Sequence, residues 1–136
     1  MPSNSAKGLV EVSGTDARVL VAYLFGSKSK GVETPQSDTD IAIMLSEIPE
    51  NLLGFYLNLI DRLSNILGDA IDLVVLNTAA PFLKHQVIKH GRIIYCRDDK
   101  ARVEFEARAE DEYMDLKIYR ERYAKALLKE ISIWKD

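Results

Sequence analysis

Two stretches decide the reading of this chain: Val19-Leu20-Val21-Ala22-Tyr23-Leu24-Phe25-Gly26-Ser27 and, after ten intervening residues, Asp38-Thr39-Asp40-Ile41-Ala42-Ile43-Met44-Leu45. Each contains a continuous apolar run of strand length, rich in β-branched and aromatic residues. Such a run, without polar alternation, suits a strand buried on both faces. The first run stops at Gly26-Ser27, and the second is entered through two aspartates. Residues 26–37 are rich in Gly, Ser, Lys, Thr and Pro, which is loop and turn chemistry. Side chains alternate along a strand, so Asp38 and Asp40 point to the same side.

Outward from this pair, Leu52, Tyr56, Leu59, Leu63 and Ile66 recur at helical spacing, with Pro49 near the start and Gly68 as the stop. Ala70 to Leu76 reads as a third strand with Asp72 inside it. Pro81 to His90 reads as a short helix closed by Gly91, and Arg92 to Cys96 as a fourth strand. From about Lys100 the pattern is helical. Leu116, Tyr119, Tyr123, Leu127 and Ile131 form one stripe, and Glu121 and Lys125 stand at a supportive spacing. The stripe is most simply core or helix packing; its tyrosines, with Trp134, leave a partner interface open. Residues 1–16 are polar and read as a loose or weakly helical lead-in. The expected fold is α/β in the α+β sense: a small mixed β-sheet packed with helices and finished by a C-terminal helical tail over 100–136. The whole of 1–136 is expected to form a single domain.

Composition bounds the function. The chain has 136 residues, a length that fits one domain and buries roughly 70% of the surface its unfolded form exposes. Its 47% apolar content excludes a disordered chain. Eighteen basic against 21 acidic residues, a net charge of −3, weigh against a general nucleic-acid binder. One cysteine, Cys96, excludes an intrachain disulfide and a cysteine-metal site, so a cytoplasmic location is the expectation. The first residues lack the apolar stretch of a signal peptide, and no run approaches the length of a membrane span.

Chemistry concentrates in few residues. Asp38, Asp40 and Asp72 are expected to converge at one end of the sheet. There they would repel one another unless a divalent cation lay between them, and all-oxygen ligands suit Mg²⁺ or Mn²⁺. Gly26 and Ser27, where a strand gives way to a loop, offer backbone N–H groups and a hydroxyl to phosphate oxygens. Lys28 and Lys30 add positive charge, and Gly31 a second bend. Taken singly these features have plainer readings: the aspartate pair as a turn or cap, Asp72 as a solvated strand end. Their conjunction points to a triphosphate cradle opposite a metal-binding carboxylate set. There is no P-loop and no HExxH motif. His85 and His90 read as solvated or capping residues, and Cys96 as a core thiol.

The combination Leu24-Phe25-Gly26-Ser27, Lys30-Gly31, Ser37-Asp38-Thr39-Asp40-Ile41-Ala42 and Ile71-Asp72-Leu73-Val74 resembles the nucleotidyltransferase superfamily that includes DNA polymerase beta. In particular it looks like the minimal nucleotidyltransferases, or MNT proteins. The resemblance covers roughly residues 19–96 and implies the nucleotidyltransferase fold. It implies that Asp38, Asp40 and Asp72 bind metal ions, with Asp72 also orienting or helping to deprotonate an acceptor hydroxyl. Gly26 and Ser27 would contact the β- and γ-phosphates of ATP, with Lys28, Lys30 and Ser37 beside them. Where the family often has an aromatic residue or Arg and then a small residue after the GS pair, this chain has Lys28 and Ser29.

Minimal nucleotidyltransferases are known as antitoxins paired with HEPN-domain RNases. The resemblance therefore implies AMP transfer from ATP to a tyrosine of such a toxin, in a hetero-oligomer; the charge balance and the lack of a long apolar run add the expectation of neither nucleic acid nor membrane as partner. Two other functions stay open: a catalytically silent antitoxin that masks its partner by contact, and an adenylyltransferase acting on a small molecule such as an antibiotic.

Overall fold

A computed structural model of the protein describes residues 16–26, 39–68 and 70–135. Residues 1–15 of the lead-in, and with them Ser27, Lys28, Lys30, Ser37 and Asp38, lie outside the described residues. The two apolar runs form strands β1 (Val19–Phe25) and β2 (Thr39–Leu45). They are followed by α1 (Leu52–Leu67), β3 (Ile71–Val75), a 3-10 turn (Leu76–Thr78), α2 (Pro81–His90), β4 (Arg92–Cys96) and α3 (Asp99–Lys135). The sheet order is β3-β2-β1-β4. β1 runs antiparallel to β2 and to β4, while β2 and β3 are parallel, so the sheet is mixed as expected.

The central position of β1 and β2 explains their unbroken apolar sequence, because both of their faces are covered. On one face Ala22, Leu24, Ile41 and Ile43 pack against Leu59 and Leu63 of α1. On the other, Val21, Tyr23, Ala42 and Met44 pack against Val87 of α2 and Phe105 of α3. Helix α1 starts where the Asn51 side chain accepts the Gly54 N–H at 3.0 Å, a cap the sequence reading passed over in favour of Pro49. It stops at Gly68, whose backbone turns to φ +70° and returns its N–H to the Ser64 carbonyl. Ile66, expected on the packed stripe of this helix, is 46% exposed.

The third strand is one residue shorter at each end than the sequence suggested. Leu76, fully buried, opens the 3-10 turn instead. That turn delivers Asn77 to the end of β2. Its side chain accepts the Leu45 N–H and donates to the Leu45 carbonyl, both at 2.8 Å. One amide thus satisfies both backbone groups of a residue leaving the sheet.

Helix α3 corrects two expectations. Only its first part packs on the sheet, through Phe105 and Ala109. Tyr23, 1% exposed, donates its hydroxyl to Glu106 at 2.8 Å, and Arg102 holds the other Glu106 oxygen at 3.1 Å. His85, read as solvated or capping, instead ties α2 to α3. Its ring stacks on Tyr113 at 4.0 Å and its Nδ1 meets the Glu110 carboxylate at 2.9 Å. Farther along, Leu116 is half-buried, but Tyr119, Tyr123, Leu127 and Ile131 are exposed, so among the described residues only the start of the stripe is packed and the rest is left for the partner-interface reading. Cys96 is half-buried and its thiol lies 3.3 Å from the Asp99 carboxylate. Burial, and then that carboxylate, push the thiol up from its ordinary value and keep it a poor nucleophile.

Candidate active site

The site begins with Thr39, which is fully buried and donates its N–H to the Ala70 carbonyl at 3.0 Å. This bond joins the start of β2 to the start of β3 and sets their register: Thr39 with Ile71, then Asp40 with Asp72. Residues opposite one another in adjacent strands share a face, and the strands lie about 4.8 Å apart. The two aspartates are therefore neighbours on the face that also carries Ala42 and Val74. Asp40 is half-buried, while Asp72 is exposed. The sequence reading placed Asp72 within an apolar run where burial would be costly. It also allowed a solvated strand end, and the strand order decides for that reading: β3 is an edge strand, and its entrance lies in solvent.

On its other side Asp40 is opposite Phe25, the last residue of β1. The chain then turns at Gly26 with φ +77°, in the left-handed region that favours glycine. A Cβ at Gly26 would fall on the Asp40 carboxylate oxygen and lie 3.0 Å from its Cγ. The missing side chain is thus what lets the strand turn sit directly against this carboxylate. The described residues bring together three of the expected groups, Gly26, Asp40 and Asp72, one from each of three adjacent strands. Among the described residues there is no group of three or more metal-ligating side chains, and Asp38, the third expected carboxylate, lies outside the described residues.

The fourth strand also starts at this end of the sheet. β4 begins at Arg92, which lies opposite Leu24, two positions before Gly26. This exposed arginine therefore stands at the same end of the sheet as the carboxylates but on its opposite face, the one that carries Leu24 and Ile41. The apolar run Ile93-Ile94-Tyr95 marked the strand, but only its antiparallel pairing with β1 puts the arginine at this end. Two neighbouring carboxylates repel, and a hard divalent cation between them removes that repulsion. A strand turn without a side chain lets a phosphate approach the backbone closely. The arrangement is chemically suited to holding a metal-bound polyphosphate.

Comparison with known proteins shows the same fold and a family. The family model described as "Polymerase beta, Nucleotidyltransferase" matches residues 7–100, a span that includes Gly26, Asp40 and Asp72. The protein adenylyltransferase MntA of Shewanella oneidensis is 32% identical over 78 residues, covering 57% of this chain. The match spans 55% of MntA, about half the length of that relative. Among solved structures, a toxin-antitoxin complex with AMP-PNP contains a chain of the same fold. It superposes with a TM-score of 0.76 at 23% identity, over 90% of this chain and 98% of that one. A tri-AMPylated Shewanella oneidensis HEPN toxin in complex with an MNT antitoxin gives a TM-score of 0.71 at 22% identity, over 94% and 99% of the two chains.

Proposed function

The chain belongs to the polymerase beta nucleotidyltransferase family, and from that premise we propose that it is a metal-dependent protein adenylyltransferase. In this reading it moves AMP from ATP to a tyrosine hydroxyl of a partner HEPN-type RNase and so acts as that toxin's antitoxin. The observation that carries the reading is the register pair of Asp40 and Asp72 on one face, with Gly26 pressed against the Asp40 carboxylate. The names of the relatives support the same direction, since MntA is a protein adenylyltransferase and its structural counterparts sit in toxin-antitoxin complexes.

Asp40 and Asp72 form an all-oxygen pair that fits Mg²⁺ or Mn²⁺, and Asp38 is proposed as their third member. When bound, such an ion neutralises charge on the phosphate oxygens and makes the α-phosphorus a better electrophile. Gly26 and Ser27 hold the β- and γ-phosphates, with Lys28, Lys30 and Ser37 around them. Asp72 orients the acceptor hydroxyl and accepts its proton. The acceptor oxygen forms a bond to the α-phosphorus while the bond from that phosphorus to the bridging oxygen breaks. Pyrophosphate leaves with the bonding electron pair, and AMP stays on the acceptor.

The exposure of Asp72 on an edge strand favours an acceptor carried on the surface of another protein. Among the described residues no helix is long and apolar enough to cross a membrane; the proposed location is the cytoplasm, as the single cysteine suggests. Isolation of the chain with its bound partner, followed by mass measurement of the partner after incubation with ATP and Mg²⁺, tests this function. The expected result is a partner heavier by one or more AMP groups on tyrosine. A bound partner whose mass never changes would favour masking by contact instead.

A further inference from the structure

At the other end of the sheet from the paired aspartates, a cleft of about 390 Å³ opens between the exit of β2, the 3-10 turn, α2 and α3. Met44 is four residues along β2 from Asp40, roughly 13 Å at the rise of a strand, so the two sites do not overlap. The floor is apolar, built by Met44, Phe105 and Ala109, all buried. Phe105, Arg108, Ala109 and Glu112 reach it from α3 at helical spacing, so one face of that helix forms a whole wall.

The charges in this cleft are unbalanced. The side chain of Lys84 is only 13% exposed, yet among the described residues its one carboxylate partner is Glu112, at 3.5 Å and itself half exposed. Arg108 lines the same cleft and has no carboxylate partner among the described residues. Two cations and one carboxylate thus stand over an apolar floor, in a chain whose net charge is −3. Covering a lysine is costly unless an anion meets it, and a single long contact meets this one only in part.

We propose that this cleft binds a small amphipathic anion, a carboxylate or phosphate monoester on an apolar body, with its charge between Lys84 and Arg108 and its body on Phe105 and Met44. Nothing in the proposed transfer of AMP requires this second site, so the two claims fail independently.

The test titrates the full chain with benzoate, phenyl phosphate and inorganic phosphate while following backbone amide NMR shifts. Saturable shifts are expected at Ser46, Asn77, Lys84 and Ala109, with inorganic phosphate binding at least tenfold more weakly than phenyl phosphate. Lys84→Met and the more exposed Arg108→Gln should each weaken binding at least tenfold, and the second keeps the test valid if the first fails to fold. Asp40→Asn should leave these shifts unchanged. Absence of saturable binding overturns the proposal. So does binding that survives both cleft substitutions, or shifts that move to Gly26 and vanish in Asp40→Asn.

Discussion

Gly26 and Asp40 compete for one space: any side chain at Gly26 would overlap the Asp40 carboxylate, whose Cγ lies 3.0 Å from the place a Cβ would take. The contact links the last turn of β1 to the carboxylate at the entrance of β2, so backbone shape and site chemistry are one constraint. Gly26→Ala should therefore displace Asp40 while the sheet still forms. Misplacing a reacting group by an ångström costs about a hundredfold in rate, and transfer of AMP should fall by at least that factor. The strained φ should also lower stability by about 1–2 kcal/mol. Rates of label transfer and thermal melting of the same preparation check both.

Asp72→Asn should separate chemistry from stability. Asp72 is exposed on an edge strand, so its replacement should change unfolding free energy by less than about 0.5 kcal/mol. If Asp72 takes the proton of the acceptor, transfer should drop by about 10²–10⁴-fold. As the other proposed metal ligand, Asp40 should behave differently in one respect: it takes no proton, so Asp40→Asn should share with Asp72→Asn a weaker binding of ATP in Mg²⁺ but not the loss of the acceptor's proton sink. Calorimetric titration of both variants with ATP measures the shared binding role, and the pH dependence of the residual transfer rate distinguishes the proton-accepting one.

Tyr23 predicts how stability responds to alkali. Burial, and then the hydrogen bond to Glu106, push its phenol well above the usual tyrosine range. The folded protein therefore holds this proton more tightly than the unfolded chain does. The resulting stability is fully present below the ordinary tyrosine value of about 10 and is lost as pH rises beyond it. Tyr23→Phe should remove that alkaline component and cost about 1–2 kcal/mol at neutral pH by depriving Glu106 of a donor. Denaturant unfolding of both proteins between pH 7 and 11 measures the difference.

Asn77 predicts a large effect far from any chemistry. Its amide satisfies both backbone groups of Leu45, across 32 residues of sequence. Asn77→Ala leaves a donor and an acceptor without a protein partner, at a cost of about 2–4 kcal/mol. Denaturant midpoints should shift accordingly. Any transfer activity that remains should keep its dependence on ATP, because Asn77 lies at the opposite end of β2 from Asp40.

The central strands were legible in the sequence because burial on both faces leaves an unbroken apolar run. The pairing of Asp40 with Asp72 was foreseen as convergence at one sheet end. What stayed hidden depended on neighbours that a linear chain does not name. That Asp72 is the solvated strand end, one of two readings its sequence allowed, is decided by β3 lying at the edge. That Arg92 joins the same end follows from the antiparallel pairing of β4 with β1. His85 showed no helical partner of its own, since Tyr113 and Glu110 reach it from another helix. The stripe through Tyr119 and Tyr123 announced a face that could pack, but periodicity does not say against what. Ser27, Lys28, Lys30, Ser37 and Asp38 keep their proposed roles from sequence and family resemblance alone.

The most direct test of the account follows the fate of the α-phosphate. The chain and its HEPN-type partner are incubated with Mg²⁺ and ATP labelled at either the α- or the γ-phosphate, beside an Asp40→Asn/Asp72→Asn control. Transfer of AMP predicts label on the partner from the α-position alone, absent in the control and abolished by chelation of the metal. Label from the γ-position, or an unlabelled partner that is still silenced equally by the control, would contradict it.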